Sequence, residues 1–350
     1  MAVLSGTMNM AQWALLSNEP LVEAVTFSLI DNGSVMARDI PFTNKQSLVA
    51  NGVRFEGNLP TVNWSPLNAE GVVSLGTPNP YQEVAYIIRN YVDVDKNYVL
   101  DQNQITEPRA IQAQAVLKAI AYDFNFQFIN NNHVTGNQNA PVGIRYRIDN
   151  PSTYGVRTAA KIDAGGTTAD LSPAGMTAAT ANAFVEAVDQ LLWSVDAPNG
   201  NMGGMNNPSG PNPGAVLYMN DLLLRRFRRA LRIMGTQGGL DQTTDQFQRS
   251  IETYKGCPIY DIGYKTDQAT RIITATETAA GVDGASTFTS MYAVNYGPGH
   301  FQGWQFGPLN VQDIGLLNSG VIYRTLVDWA GGLINQSNRS IGRLYDIKIA

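Results

Sequence analysis

One segment of the chain repeats its apolar residues every three or four positions, which places them on one face of an α-helix. These positions are Ala113, Val116, Leu117, Ile120, Phe124 and Phe128. Thr106 is the predicted N-cap, because Glu107 and Pro108 follow it and both are favoured in a first turn. The pattern fades at residues 130–132, so the helix is predicted over 106–132. At 1.5 Å per residue it would be about 35–40 Å long, enough to span a domain.

Two further helices are predicted in the middle of the chain. Residues 177–195 carry an apolar face formed by Phe184, Val185, Val188, Leu191 and Leu192. A loop rich in Gly, Asn and Pro follows, and the wholly apolar residues 215–219 are then predicted to form a buried strand. Asn220 is the predicted N-cap of the third helix, which ends at Gly235.

Strand patterns fill most of the remaining chain. Residues 83–100 and most residues after 251 are rich in β-branched and aromatic side chains. Residues 142–148 are predicted as a short strand, and Gly331-Gly332 as a turn that joins two C-terminal strands. Because the helices and strands do not alternate regularly, the predicted fold class is α+β.

Residues 37–81 form a long polar segment whose strand-like pieces are too short and too polar to build a core. The pieces and the turn residues between them, such as Asn51-Gly52, predict a two-stranded ribbon. A ribbon of that kind is marginally stable alone in water. We therefore predict that it lies on another surface, and that this surface belongs to a neighbouring copy of the chain.

The amino-acid composition of the chain argues against several classes of function. Charged residues make up 15% of the 350 residues, against about 25% in ordinary domains. The net charge of −5 argues against a dedicated nucleic-acid binder. Cys257 is the only cysteine, which excludes an intrachain disulfide and a cysteine-based zinc site. No signal-peptide pattern is present and no apolar run approaches the ~18 residues of a membrane span, so we expect assembly in a cytoplasm and no membrane partner.

The order of these elements resembles that of the major capsid proteins of tailed bacteriophages, which share the Hong Kong 97-like shell fold. Local phrases are also similar to the family: GCPIYDIG at 256–263, TSMYAVNYG at 289–297, GWQFGPLNVQDIG at 303–315 and TLVDWAGGL at 325–333. The resemblance covers essentially the whole chain.

The resemblance implies a division into the parts of that fold. They are an N-terminal arm at 1–36, an extended loop at 37–81, a peripheral domain at 82–149 with its spine helix at 106–132, an axial domain at 150–310, and a return to the peripheral domain at 311–350.

The resemblance also implies a function. The chain would form the hexamers and pentamers of an icosahedral head that encloses double-stranded DNA in the virion, after assembly in the bacterial host cytoplasm. The charged, helical scaffold segment that begins some members has no counterpart here, which implies a separate scaffolding protein as a partner or assembly without one. A portal and a decoration protein are further implied partners. Packaged DNA would make weak, non-specific contacts with the inner face. No cofactor is implied. The alternative is an encapsulin-like nanocompartment, which shares the fold.

An enzyme is the third hypothesis, a hydrolase that uses Cys257 or an Asp pair. The only imidazoles are His133 and His300, and a cysteine nucleophile would need one of them nearby. The Cys257 segment is predicted as a strand near a turn, where a buried structural thiol is the ordinary role. Asp93, Asp95, Asn97 and Asp101 imitate the first half of a calcium loop, but Tyr98 and Gln104 replace its required Gly and Glu.

Residues predicted to contact other subunits lie in three places. They are Trp13 in the arm, Arg54, Phe55 and Trp64 in the extended loop, and the arginine cluster Arg225, Arg226, Arg228, Arg229 and Arg232 on the third helix. The arginines could pair with carboxylates of the same or an adjacent subunit, face solvent, or contact DNA phosphates. Lys45 is the only lysine of the extended loop, and no surrounding motif supports the lysine–asparagine crosslink of some relatives.

Overall fold

The computed structural model describes residues 8–9, 28–29, 33–54, 60–76, 78–100, 108–195, 215–235, 240–244 and 250–350. Its helices are α1 (Val35–Arg38), α2 (Lys96–Leu100), α3 (Pro108–Asn130), α4 (Ile144–Asp149), α5 (Pro151–Tyr154), α6 (Ala178–Ser194) and α7 (Asp221–Ile233). Its strands are β1 (Met8–Asn9), β2 (Pro41–Asn44), β3 (Val49–Arg54), β4 (Asn79–Val84), β5 (Tyr86–Asp95), β6 (Lys161–Gly166), β7 (Ala215–Met219), β8 (Asp241–Thr244), β9 (Ser250–Tyr254), β10 (Cys257–Asp261), β11 (Phe288–Asn295), β12 (Phe301–Gln305), β13 (Asn310–Leu316), β14 (Ile322–Asn335) and β15 (Ile341–Lys348).

The first sheet is organised around the long strand β14. One edge of β14 pairs with β5 along its first ten residues, and the other edge pairs with β13 and then with β12. Strand β2 continues the sheet beside β12, and β1 pairs with β2. In the described part of the chain, β5 and β13 pair only with β14, so each leaves one edge of backbone groups open.

The second sheet has the order β6-β15-β11-β7-β10-β9-β8 in the described residues, and its central strands are buried on both faces. Alternate residues of β7 point into different cores. Val216 and Tyr218 join the core around helix α3, whereas Leu217 and Met219 join the core under helices α6 and α7. This explains why residues 215–219 are a continuous apolar run, since a strand covered on both sides has no solvent face.

Helix α3 links the two sheets. Phe124 packs edge-on against Trp329 of β14, with 6.2 Å between ring centroids, and Phe128 packs edge-on against Tyr218 of β7 at 6.1 Å. The predicted apolar face is therefore the buried face of a helix about 35 Å long. The predicted N-cap Thr106 lies outside the described residues.

Helices α6 and α7 both begin after polar N-caps, of which Asn220 is the predicted one. Thr177 and Thr180 form a reciprocal capping box at the start of α6. The Asn220 side chain accepts a hydrogen bond from the backbone N–H of Leu223 at 2.7 Å, and Gly235 has a positive φ of 70° just after α7. Polar caps set these boundaries, as the sequence predicts.

Two local predictions are wrong. Residues 144–149 form helix α4 rather than a strand, because Ile144, Arg147 and Ile148 are buried at a spacing of three and four. Gly331 and Gly332 do not form a turn but continue β14. A Cβ atom on Gly332 would lie 2.4 Å from the Trp304 ring, so these glycines make room for indoles within a strand.

Three strands join sheets that do not follow the predicted segments. β15 lies between β6 and β11 in the second sheet, so residues 311–350 do not all return to the first sheet. Strands β2 and β12 belong to the first sheet, although their residues fall in the predicted 37–81 and 150–310 segments. A strand's local pattern does not encode which sheet it joins, because buried strands of both sheets have the same composition.

Gly332→Ala is expected to destabilise the chain by about 1–3 kcal/mol, the usual cost of overpacking a core. The Trp304 ring is 1% exposed and its Nε1 donates to the Ser47 carbonyl at 3.2 Å, so the indole has no room to retreat. Gly307→Ala is the matched control, since no atom lies within 4 Å of its added Cβ. Urea denaturation of both variants measures the difference, and equal midpoints would refute this account of Gly332.

Candidate subunit interface

Strands β3 and β4 form a hairpin whose base is fixed to the first sheet. They pair from Val49 opposite Val84 to Arg54 opposite Asn79. Ala50 packs with Trp304 and Ile334 in a small apolar cluster. Asn51-Gly52 lies within β3 and is not the predicted turn; Gly52 lies against the Tyr81 ring, where a Cβ would meet the Tyr81 hydroxyl at 2.2 Å.

A buried ion pair joins the hairpin to helix α4. The Arg147 guanidinium donates to both carboxylate oxygens of Glu83, at 2.5 and 3.1 Å. Its Nε also donates to the Val142 carbonyl at 3.1 Å. The side chains of Arg147 and Glu83 are 0% and 8% exposed. Because each charge depends on the other for solvation, the pair fixes the position of β4 relative to α4.

Beyond the hairpin, residues 60–76 form a projecting segment without regular strands, which we call the tip. The Ala69 N–H donates to the Pro66 carbonyl at 3.1 Å, and Asn68 has a φ of 65°. Those features define a turn with Asn at its left-handed position. Ser74 Oγ accepts from the Thr61 N–H at 2.7 Å and holds the two arms of the tip together.

The tip presents apolar side chains to solvent. Trp64 is 95% exposed and Leu67 is 94% exposed. The other strongly exposed apolar residues of the tip are Val62, Val72, Val73 and Leu75. The segments predicted as strands at 61–64 and 72–75 are not paired as strands here, which is consistent with side chains that have no surface to lie on. Several exposed apolar side chains within one short segment are typical of an interaction surface.

Helix α7 carries the arginine cluster on its outer side, away from the core under α6 and α7. Arg225 pairs with Asp221 at 2.7 Å, one turn earlier on the helix. Arg228 pairs with Glu252 of β9, also at 2.7 Å. Arg229 and Arg232 have no carboxylate partner among the described residues, and the Nε of Arg226 is buried without a hydrogen bond. The described residues therefore neutralise the cluster only in part.

Two carboxyl groups meet at the opposite end of the second sheet. Asp163 of β6 lies beside Asp346 at an irregularity in the β6–β15 pairing, where Asp346 has a φ of 61°. Asp163 is exposed and accepts hydrogen bonds from the Gly165 N–H at 2.7 Å and the Tyr345 hydroxyl at 3.3 Å. Asp346 is 8% exposed. Burial, together with the adjacent Asp163 carboxyl, raises the pKa of Asp346 to about 6.

Comparison with solved structures shows several that are similar over nearly the whole chain. The holo-SrpI encapsulin of Synechococcus elongatus PCC 7942 aligns with a TM-score of 0.57 and 12% identity, covering 88% of this chain and 85% of that chain. The capsid of the native GTA particle aligns with a TM-score of 0.57 and 10% identity, covering 90% of each. The capsid of Myoviridae phage XM1 aligns with a TM-score of 0.51 and 12% identity, covering 88% of this chain and 89% of that chain.

This is the Hong Kong 97-like capsid fold. The predicted α+β class and shell fold are confirmed, at sequence identities of 10–12%. No protein-family model matches the sequence, and no curated protein matches it. The β3–β4 hairpin with its tip precedes the long helix α3 in the chain, and the assignment of an extended loop at 37–81 stays a prediction.

The predicted contact residues have different outcomes in this capsid fold. Trp64 lies on the exposed tip, and the five arginines lie on α7 as described above. Trp13, Phe55 and the side chain of Arg54 lie outside the described residues. Their role in subunit contacts stays a prediction, as does that of Trp64 and the arginines.

The surroundings of Cys257 do not fit the role of a catalytic nucleophile. The thiol is buried in the core under α7, and burial raises its pKa to about 12. At neutral pH it is therefore a protonated thiol, not a nucleophile. Burial also lowers the pKa of His300.

The acidic residues of the segment that imitates a calcium loop form hydrogen bonds within the chain. Asp93 accepts two hydrogen bonds from Arg324, at 2.7 and 2.6 Å. Asp95 accepts from the Asn97 N–H at 2.8 Å, and Asp101 lies outside the described residues.

In the described part of the chain, no helix is long and apolar enough to cross a membrane.

Sequence reasoning missed the Asp163–Asp346 pair. Neither residue stands in a motif, and only the parallel pairing of β6 with β15 brings them together. The positive φ of Asp346 is also invisible to a pattern of apolar and polar residues. Nothing in the sequence alone could have found the pair.

Asp346→Asn is expected to stabilise the isolated subunit at pH 8 and to have little effect near pH 4. Because the folded-state pKa of about 6 exceeds the ordinary 3.8, the stability that Asp346 contributes is full below pH 3.8 and is lost as pH rises through 6. Asn removes that ionisation and tolerates the left-handed backbone. A Tm increase of about 2–4 °C at pH 8 corresponds to ~1 kcal/mol in a large domain.

Asp267 provides the opposite control. Hydrogen bonds from Thr270 and Ala269 lower the pKa of Asp267 to about 2, so stability from this group is lost as pH falls. Asp267→Asn should therefore not stabilise the subunit at pH 8. Thermal melts of both variants from pH 4 to pH 8 make the comparison, and a pH-independent effect of Asp346→Asn would contradict the prediction.

Proposed function

We propose that this chain is the major capsid protein of a tailed bacteriophage, a structural protein that forms the hexamers and pentamers of an icosahedral head around double-stranded DNA. The observation that carries the proposal is the tip: a rigidly anchored hairpin that ends in apolar side chains with almost full solvent exposure. Burying one such side chain contributes about 1.5–3 kcal/mol, so a second copy gains substantially by covering several of them.

Each tip would lie across the next subunit. The open edges of β5 and β13 supply unpaired backbone groups for such contacts. Side chains along these two strands are also apolar and about half exposed: Ile87, Tyr91, Ile314 and Leu316. Open edges that would promote aggregation in a monomer then serve assembly. The solved shell proteins with this fold support self-assembly as the general role.

The arrangement of parts follows from the same proposal. The first sheet with α3 would be the peripheral domain, and the second sheet with α6 and α7 the axial domain around the five-fold and six-fold axes. Small rotations of these parts and bending of α3 would select pentamers or hexamers. The partners would be a separate scaffolding protein, a portal, a decoration protein and packaged DNA on the inner face. The protein would assemble in the bacterial cytoplasm and be located in the virion. The chain would have no enzymatic role.

Negative-stain imaging and size-exclusion chromatography of the purified chain test the proposal. Rings or closed shells are the expected result, and a monomer at high concentration with an ordered, self-docked tip would refute it. Nuclease-protected DNA in particles from infected cells would support the phage head. Small shells from the gene alone that hold a co-purifying enzyme would instead support the encapsulin-like compartment, since an encapsulin shares the fold.

A further inference from the structure

We propose that neighbouring copies within one ring contact each other through opposite edges of the second sheet, with Arg229 and Arg232 of one copy facing Asp163 of the next. This inference rests on the proposed function, because it requires copies arranged in rings. It adds the residues that would hold one axial unit against another, which the fold alone does not specify.

The two charged groups lie at opposite sides of the same layer. Helix α6 packs over β6 and β15, at the edge that carries Asp163. Helix α7 packs toward the other edge, where Phe227 contacts Tyr254 of β9 with 5.3 Å between ring centroids. Asp163 lies on β6, which ends the sheet in the described residues, whereas Arg228 of the cluster pairs with Glu252 of β9, the neighbour of β8 at the other end. The carboxyl pair and the arginine cluster therefore lie toward different edges of the sheet.

The carboxyl pair is unbalanced in a single copy. Asp163 and Asp346 have no ion pair with a basic side chain among the described residues, and one oxygen of Asp346 is buried without a hydrogen bond. The two lysines near this edge form ion pairs with other carboxylates. Lys161 pairs with Asp149 at 2.7 Å, and Lys348 pairs with Asp170 at 2.7 Å. The described part of the chain therefore offers Asp163 no basic partner, and in the proposed ring the cation comes from the neighbouring copy.

The arginines show the complementary imbalance. Asp221 and Glu252 neutralise Arg225 and Arg228, which leaves Arg229 and the exposed Arg232 without a carboxylate in the described part of the chain. In a rotational ring, each copy presents one edge to the opposite edge of its neighbour. Ring geometry therefore brings the surplus positive charge of one copy to the surplus negative charge of the next, and the match sets the direction of the contact.

Charge reversal gives a test that only an interface between opposite edges can pass. Asp163→Arg makes both edges positive, and Arg229→Glu with Arg232→Glu makes both edges negative. Each variant alone should form at least about tenfold fewer rings and shells than the wild type, because every contact joins like charges. An equimolar mixture should recover assembly, because alternating copies restore opposite charges at every contact.

The recovered particles should have a specific defect. Two alternating variants close even-numbered rings without conflict, whereas a pentamer must contain one contact between like charges. The mixture is therefore expected to give hexamers and sheets or tubes, with few closed icosahedral shells, in negative-stain images. Failure of the mixture to assemble, or full recovery with normal pentamers, would overturn the proposed contact.

Controls separate this result from misfolding and from failure of the proposed function. Circular dichroism checks that each variant is folded. If Asp163→Arg is not folded, Asp163→Asn replaces it, because Asn keeps a hydrogen-bond acceptor for the Gly165 N–H. Asp163→Asn should reduce the salt dependence of assembly. Glu186→Lys reverses an exposed carboxylate on α6 and should assemble normally; a loss equal to that of Asp163→Arg would overturn the proposal. If the wild type itself forms no rings, the proposed function fails first.

Discussion

A chain in which residues 60–76 are replaced by a Gly-Ser-Gly linker is expected to fold normally and to form no closed shells. The folded state loses little, because Trp64 and Leu67 are almost fully exposed and contribute little to the subunit's own core. The anchored base of the hairpin stays intact, since Ala50 and Trp304 lie outside the deleted segment. Assembly loses the most strongly exposed large apolar side chains in the described part of the chain.

Two measurements separate these outcomes. Urea denaturation should place the deletion variant within about 0.5 kcal/mol of the wild type, as expected for changes at an exposed surface. Negative-stain imaging should show isolated subunits or open rings. Trp64→Ala with Leu67→Ala should produce an intermediate loss, whereas Glu70→Gln, a polar change in the same tip, should assemble normally. Complete particles from the deletion variant would rule out this role for the tip.

Much of the fold is predictable because its signals are local. Asn220 has an N-cap residue's chemistry, and the structure uses it as an N-cap. The period of the α3 apolar face and the apolar run in β7 likewise require only neighbouring residues to interpret. The exposure of the tip at 60–76 was predictable for the same reason. The prediction was wrong for the start of the 37–81 segment, because Ile40 and Phe42 are buried in the subunit's own core and β2 joins the first sheet.

The errors arise where distant residues decide the structure. Gly331-Gly332 has the composition of a turn, and only the indoles of Trp304 and Trp329 explain why it continues a strand. The second-sheet position of β15 depends on β6 and β11, which are far away in sequence. Arg147 is polar by any local measure, yet it is fully buried because Glu83 approaches it from a different segment.

Arg147→Met is expected to destabilise the subunit by about 3–5 kcal/mol, because it leaves the Glu83 carboxylate buried without a countercharge. The double variant Glu83→Leu with Arg147→Met should recover most of that loss, since a buried ion pair can be replaced by apolar side chains of similar volume. Arg89→Met is the matched control. Its ion pair with Asp328 at 3.0 Å is largely exposed and should be worth about 0–1 kcal/mol.

Urea denaturation of these variants gives the stabilities, and imaging gives a second, independent readout. Although the double variant should be nearly as stable as the wild type, it lacks the directional hydrogen bonds that orient β4 relative to α4. We therefore expect it to form fewer regular shells than its stability would allow, because the tip would leave the hairpin at a less defined angle. If the double variant assembles as well as the wild type, apolar packing at Ala50 and Trp304 is sufficient to aim the tip, and the ion pair serves stability alone.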